Sequence, residues 1–216
     1  MLDYTPILIN SFELIASLIA TYMVAIKKVG SKTENYFLIF LWITFLCDSL
    51  GTFFGYVLET EENYIVLNIY TIISIPFLLF WYRALQKNKI LKATTLFFII
   101  IFLIFIIYNI LYLEFKSEYL SILFLFGAIF LVISICFYFI EQLFSDTVFK
   151  VKHNMVFWIS LGQIIFYLGM IPMISLNKYI MPFLKIDPVI YFVILLVLNI
   201  ILYTSYILAF LWNEKK

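Results

Sequence analysis

Seven long apolar runs, separated by short charged breaks, dominate the sequence. A helix needs about 20 mostly apolar residues to cross a bilayer, and each run supplies them. Hydrophobic residues make up 65% of the chain and charged residues only 12%, a balance far outside that of soluble domains. The sequence therefore predicts an all-α membrane protein, one transmembrane domain over residues 1–216, with spans near 7–26, 36–58, 64–85, 93–113, 119–144, 155–175 and 188–212.

The charged breaks alternate in sign. Most of the 14 basic residues lie in the breaks at 27–32, 83–92 and 150–152 and at 215–216, whereas the other breaks are mainly acidic. Lys and Arg are enriched in cytoplasmic loops, so we expect the N-terminus outside and the C-terminus inside, in the cell (inner) membrane. The connections leave no room for a soluble catalytic domain, and the net charge of +1 implies no nucleic-acid partner.

Composition also limits the chemistry that the chain can carry. His153 is the only histidine, which excludes a histidine-rich zinc site. Cys47 and Cys136 lie inside apolar runs and are expected to pack as small hydrophobes. A retinal Schiff base needs a lysine in the last span, and none lies between Lys185 and Lys215. We therefore predict no catalytic residue, no metal and no cofactor.

Polar residues in five spans recur at steps of three or four, which places them on one helix face in each span. We expect these faces to point into the bundle. The stripes are Asn10, Glu13, Ser17 and Thr21; Thr44, Asp48, Thr52 and Gly55; Asn68, Thr71 and Ser74; Ser160, Gln163 and Tyr167; and Asn199, Tyr203 and Tyr206. The fourth span is wholly Leu, Ile and Phe over 96–107, as expected of a helix that faces lipid.

Two of these polar residues are carboxylic acids, and an acid inside a bilayer costs roughly 2.5–3.5 kcal/mol on insertion scales. Glu13 and Asp48 lie at similar predicted depths, so we expect them to share a pocket in the outer half of the bundle, where one would hold a proton unless a cation joins them. The predicted ligand-binding residues are Glu13, Asp48, Asn68, Thr71, Gln163, Tyr167 and Asn199.

The polar residues of these spans also suit purely structural roles. The amides and hydroxyls of the stripes also suit interhelical hydrogen bonds, the usual role of interior polar groups in membrane bundles. Glu141, near the end of the fifth span, is expected to reach water or to pair with Lys150 or Lys152. Arg83, at the end of the third span, is expected to extend to the interface, with contact to a partner as the second possibility.

Two late stretches carry a family resemblance. The segments FWISLGQIIFYLGMIP (157–172) and NIILYTSYILAFLW (199–212) resemble the late spans of small bacterial seven-helix membrane proteins thought to work beside sensor kinases. The resemblance covers about the last third of the chain. It implies signalling through a separate partner protein in trans.

Three classes of function follow from these patterns. The first is a sensor or receptor-like subunit that binds a small ligand, proton or cation in the outer pocket and signals through a separate partner. The second is a carrier for a small or lipid-like molecule, which midplane polar groups and the prolines at 76 and 172 would suit. The third is an intramembrane enzyme, for which we find neither a nucleophile with its base nor a set of metal ligands, so we predict that the chain is not an enzyme.

Overall fold

A computed structural model describes residues 5–26, 31–57, 63–112, 119–144, 154–179 and 188–212. Within these ranges the chain forms seven helices that are long and apolar enough to cross a membrane, which confirms the predicted all-α seven-helix fold. The helices are α1 (Thr5–Ala25), α2 (Lys32–Thr52), α3 (Asn63–Leu85), α4 (Lys89–Tyr112), α5 (Ser121–Leu143), α6 (Met155–Tyr179) and α7 (Pro188–Leu211). A π-helical turn, Phe53–Val57, continues α2.

The helix bounds extend beyond the predicted spans by four residues at the starts of α2 and α4 and at the end of α6. The apolar run predicts a start at 93, but α4 begins at Lys89 because the side-chain oxygen of Asn88 accepts a hydrogen bond from the Ile90 backbone N–H at 2.8 Å. α6 continues to Tyr179, beyond the apolar run that ends at 175. Hydropathy locates the part of a helix that is apolar, whereas capping and backbone hydrogen bonds decide where the helix ends.

The chain divides into two units, and the boundary falls inside α2 between Leu41 and Trp42. The first unit holds residues 1–41 and 149–216, which include α1, the start of α2, α6 and α7. In this unit α7 packs against both α1 and α6. Its buried apolar side chains include Ala16, Ala20, Phe37, Leu41, Ile159, Leu202, Ala209 and Phe210.

The second unit, residues 42–148, contains the rest of α2 with α3, α4 and α5. The last three helices pack against one another in pairs. Gly127 of α5 allows a close approach, because a β-carbon there would overlap the Ile75 side chain of α3 and lie 2.7 Å from Phe102 of α4. The buried apolar side chains of this unit include Ile75, Leu78, Leu79, Tyr82, Ile99, Phe102, Leu123, Leu131 and Ile135.

Large apolar side chains cover the outside of the helices, as a lipid environment requires. On α4 the exposed residues include Phe97, Ile100, Leu103, Ile104, Ile107 and Leu111. The predicted lipid-facing character of this helix agrees with that exposure. Together with the seven helices that are long and apolar enough to cross a membrane, this surface identifies the chain as a multi-pass membrane protein in contact with the bilayer.

The predicted orientation depends on charges that lie largely outside the described residues, among them those at 27–28, 59–62, 114–118, 150–152 and 215–216. Lys150 and Lys152, the predicted partners of Glu141, are among them. The placement of the N-terminus outside and the C-terminus inside therefore stays a prediction.

Candidate functional site

A buried carboxylate on α1 lies in the first unit. The Glu13 side chain on α1 is 1% exposed, and its Oε1 accepts a hydrogen bond of 2.6 Å from the Tyr203 hydroxyl on α7. Tyr203 is itself buried. A hydrogen bond to a carboxylate is short and roughly twice as strong as one between neutral groups, so this contact fixes α1 against α7.

A second polar contact joins α6 to α7 one turn from the first. The Gln163 amide Nε2 donates to the Tyr206 hydroxyl at 3.2 Å, and both side chains are buried. The Tyr203 and Tyr206 rings meet edge to face, with their centroids 5.8 Å apart. Phe37, in the part of α2 that belongs to this unit, packs against the Tyr206 ring at 5.0 Å. We call Glu13, Gln163, Tyr203 and Tyr206 the polar cluster.

The polar cluster depends on the close approach of α6 to α7. A β-carbon on Gly162 would lie 2.7 Å from the β-carbon of Ser205 and 3.3 Å from the Leu202 carbonyl oxygen. Only glycine leaves room for α7 at this level of α6. Because Gly162 precedes Gln163, the same contact places the Gln163 amide within reach of the Tyr206 hydroxyl.

Two other predicted ligand-binding residues lie in the same unit. Tyr167 on α6 and Asn199 on α7 are both buried, at 6% and 7% exposure. The Asn199 amide donates to the Leu195 carbonyl of its own helix at 2.9 Å. This bond is local to α7, so the geometry of Asn199 fits a structural role at least as well as ligand binding.

The remaining predicted residues, Asp48, Asn68 and Thr71, belong to the second unit. The Asn68 side-chain oxygen accepts a bond of 3.0 Å from the Leu120 N–H, directly before α5 begins, and so holds the start of that helix. The Thr71 hydroxyl donates to the Leu67 carbonyl of its own helix. Asp48 is half-buried on α2, one turn before the π-helical turn. The pocket shared by Glu13 and Asp48 stays a prediction.

The inward direction of most polar stripes follows the predicted pattern. Every member of the stripes on α3, α6 and α7 is buried, as are Glu13 and Ser17 of the first stripe and Thr44 of the second. The sequence pattern places Tyr203 on the α7 stripe but does not identify it as the partner of Glu13. Spacing identifies which face of a helix points inward, but it does not identify which residue on another helix will be in contact.

The chemistry available to the polar cluster is that of one carboxylate, phenolic hydroxyls and an amide. Within the described ranges, no group of three or more His, Cys, Asp or Glu side chains could hold a metal ion. A carboxylate that receives one tyrosine hydroxyl can exchange a proton, accept a cation or accept a donor group of a small ligand. Each of these events changes the charge or the hydrogen bonding between α1 and α7.

A third carboxylate, Glu141, has a different role. Its Oε2 accepts a hydrogen bond from the Lys87 N–H at 2.9 Å, and its Oε1 accepts one from the Asn88 N–H at 2.7 Å. Glu141 thereby ties the end of α5 to the α3–α4 connection. The sequence predicts water or a lysine side chain as its partner. Backbone N–H groups are uncharged and common to nearly all residues, so pairing opposite charges along the sequence does not identify them as partners.

Comparisons with family models, with curated proteins and with solved structures found no match for this chain.

Proposed function

We propose that this chain is a receptor-like subunit of the cell membrane and that the Glu13–Tyr203 pair is its responding element. The observation that supports the proposal is the near-complete burial of Glu13, 1% exposed, on a tyrosine hydroxyl of another helix. A carboxylate inside a membrane bundle is costly unless a partner or a proton compensates its charge. A proton, cation or polar ligand that joins or leaves the pair therefore changes the free energy of packing α1 against α7.

The response needs two packing states of the bundle that differ in affinity for the ligand. In the proposed mechanism, one state keeps the Tyr203 hydroxyl on Glu13, and the other gives the carboxylate a different partner. A separate protein in the membrane or the cytoplasm reads the difference. The resemblance of the late spans to small bacterial seven-helix proteins thought to work beside sensor kinases supports such a partner.

A carrier is the second candidate, and the π-helical turn Phe53–Val57 favours it. Turns of this type are rare and occur often at functional sites, and this one follows closely after Asp48. Against a carrier, Pro76 and Pro172 do not interrupt their helices, since α3 and α6 continue through them. The interrupted helices that many carriers use for binding are therefore not found at these two prolines.

The experiment uses the chain in lipid nanodiscs and the indole pair Trp158–Trp212 as an optical reporter of the first unit. The two rings meet edge to face at 4.8 Å, on α6 and just past the end of α7. In a Trp42→Phe, Trp81→Phe background, tryptophan emission is followed during titrations with acid and with Na⁺. We expect the emission to titrate, and we expect Glu13→Gln to abolish the change because the amide neither ionises nor attracts a cation.

Glu141→Gln serves as the matched control, because it also removes one carboxylate but from the second unit. Its titration should follow the parent protein. If Glu13→Gln titrates like the parent, Glu13 is a structural residue and the proposal is wrong. Uptake of a solute into proteoliposomes, lost in Asp48→Asn and retained in Glu13→Gln, would instead favour the carrier.

A further inference from the structure

Two side-chain donors near the end of α3 are buried without an acceptor. Neither Nε of Arg83 nor Nε2 of Gln86 has a hydrogen-bond partner in the part of the chain that the structure describes. Gln86 is 1% exposed, whereas Arg83 is half-buried. The Gln86 side-chain oxygen accepts a hydrogen bond of 3.0 Å from the Thr95 hydroxyl on α4. This bond fixes the orientation of the amide, so the NH₂ group is the part of the side chain that lacks a hydrogen-bond partner among the described residues.

The two donors lie one turn apart on the same side of α3. The Gln86 N–H bonds to the Tyr82 carbonyl at 3.0 Å, so the helical hydrogen-bond pattern continues one residue past Leu85. Residues three apart on a helix are neighbours on its surface. The Arg83 and Gln86 side chains therefore extend from neighbouring positions on one side of α3.

The surroundings of these donors are positively charged. Lys87 and Lys89 are exposed on the α3–α4 connection and the first turn of α4, and Lys92 is half-buried. Among the described residues, the acid Glu141 contacts this connection, and both of its carboxylate oxygens accept from backbone N–H groups there. The lysines leave this end of α3 with an excess of positive charge, which Glu141 offsets only in part.

We propose that this end of α3 binds the phosphate group of an anionic phospholipid. Arginine is the side chain best suited to phosphate, because its planar fork of N–H groups matches two phosphate oxygens. A phosphate oxygen also supplies the acceptor that the Gln86 amide lacks. The surrounding lysines attract an anionic membrane surface, as basic groups at the ends of spans commonly do.

The position of the site favours a lipid over free phosphate. Arg83 lies in the last turn of α3, at the end of a membrane span, where headgroups are found. Ile90, in the first turn of α4, is 75% exposed and lies between Lys89 and Lys92 in sequence. An apolar side chain beside cations suits a molecule that has both a phosphate and an acyl chain.

The test measures binding of phosphatidylglycerol to the full chain by native mass spectrometry, starting from neutral phosphatidylcholine nanodiscs. Arg83→Gln removes the charge and Gln86→Leu removes the unused NH₂ group. We expect Arg83→Gln to weaken phosphatidylglycerol binding about tenfold, the effect of one charge-assisted hydrogen bond. Gln86→Leu should weaken it roughly threefold, as expected for a neutral donor.

Lys92→Gln is the matched control, since it removes one cation at the same end of the helices and should change binding less than about twofold.

Two further measurements test whether the guanidinium group and the lipid are each required for binding. Arg83→Lys keeps the charge without the fork, so a loss of binding in this variant supports recognition by the guanidinium even if Arg83→Gln does not fold. Inorganic phosphate is added in competition: if it displaces phosphatidylglycerol at equal affinity, the ligand is the free anion and the lipid assignment is wrong. Parental binding by Arg83→Lys and Gln86→Leu, or a loss in Lys92→Gln as large as in the Arg83 variants, would overturn the proposal.

Discussion

At the scale of single residues, the decisive feature is the short hydrogen bond from the Tyr203 hydroxyl of α7 to the buried acid of α1. The Tyr203 hydroxyl is neutral and lies 2.6 Å from Oε1 of Glu13, so this hydrogen bond places no positive charge beside the acid. A neutral partner leaves the charge of the carboxylate open to change by a proton or a cation. The response proposed for the pair depends on this change of charge.

Replacing the two tyrosines of the polar cluster should have unequal effects on stability. Tyr203→Phe removes the donor to a buried carboxylate, and we expect a loss of about 2 kcal/mol in the free energy of unfolding. Tyr206→Phe removes a hydroxyl that accepts from the neutral Gln163 amide, at a cost of about 1 kcal/mol. Unfolding by dodecyl sulfate in mixed micelles measures both values. Equal losses would mean that the hydrogen bond to Glu13 contributes no more to the free energy of unfolding than the bond between Gln163 and Tyr206.

At the scale of helices, the contact between α6 and α7 depends on two glycines with different neighbours. A β-carbon on Gly162 would lie 2.7 Å from the β-carbon of Ser205, close to the backbone of α7. On Gly169 it would lie 2.6 Å from the Cδ2 of Leu198, the flexible end of a long side chain. The first contact can be relieved only by moving a helix, whereas the second can be relieved by a change of rotamer.

This difference predicts the cost of adding one methyl group at either position. Gly162→Ala should destabilise the protein by about 2 kcal/mol, because α7 must move away from α6. Gly169→Ala is the matched control and should cost under about 1 kcal/mol, since Leu198 can turn aside. The same mixed-micelle unfolding measures both. A larger loss for Gly169→Ala would contradict the close backbone approach at Gly162.

The sequence predicts helices better than it predicts contacts between them. The seven spans could be placed because the bilayer sets a length that an apolar run must meet, and the inward faces could be placed because the helix period is fixed. The contact between Glu13 and Tyr203 could not, since it depends on how two helices far apart in sequence are packed. The contact of Glu141 with backbone N–H groups was beyond prediction for another reason, because every residue except proline offers the same donor.

At the scale of the whole molecule, the alternation of charged breaks predicts which end of each helix faces the cytoplasm. In intact cells, a membrane-impermeant maleimide should label Asp3→Cys, whereas Lys216→Cys should be labelled only after permeabilisation. Both substitutions are made in a background in which the native cysteines, Cys47 and Cys136, are replaced by serine. Labelling of position 216 in intact cells would reverse the predicted orientation.

The hydrogen bond between Glu13 and Tyr203 also has a consequence for how the protein is made. The two residues are 190 positions apart in the chain. At about 5–20 residues per second, a ribosome finishes Tyr203 roughly 10–40 s after Glu13. Throughout that interval Glu13 is in the membrane or at the translocon without the Tyr203 hydroxyl, which arrives only with α7.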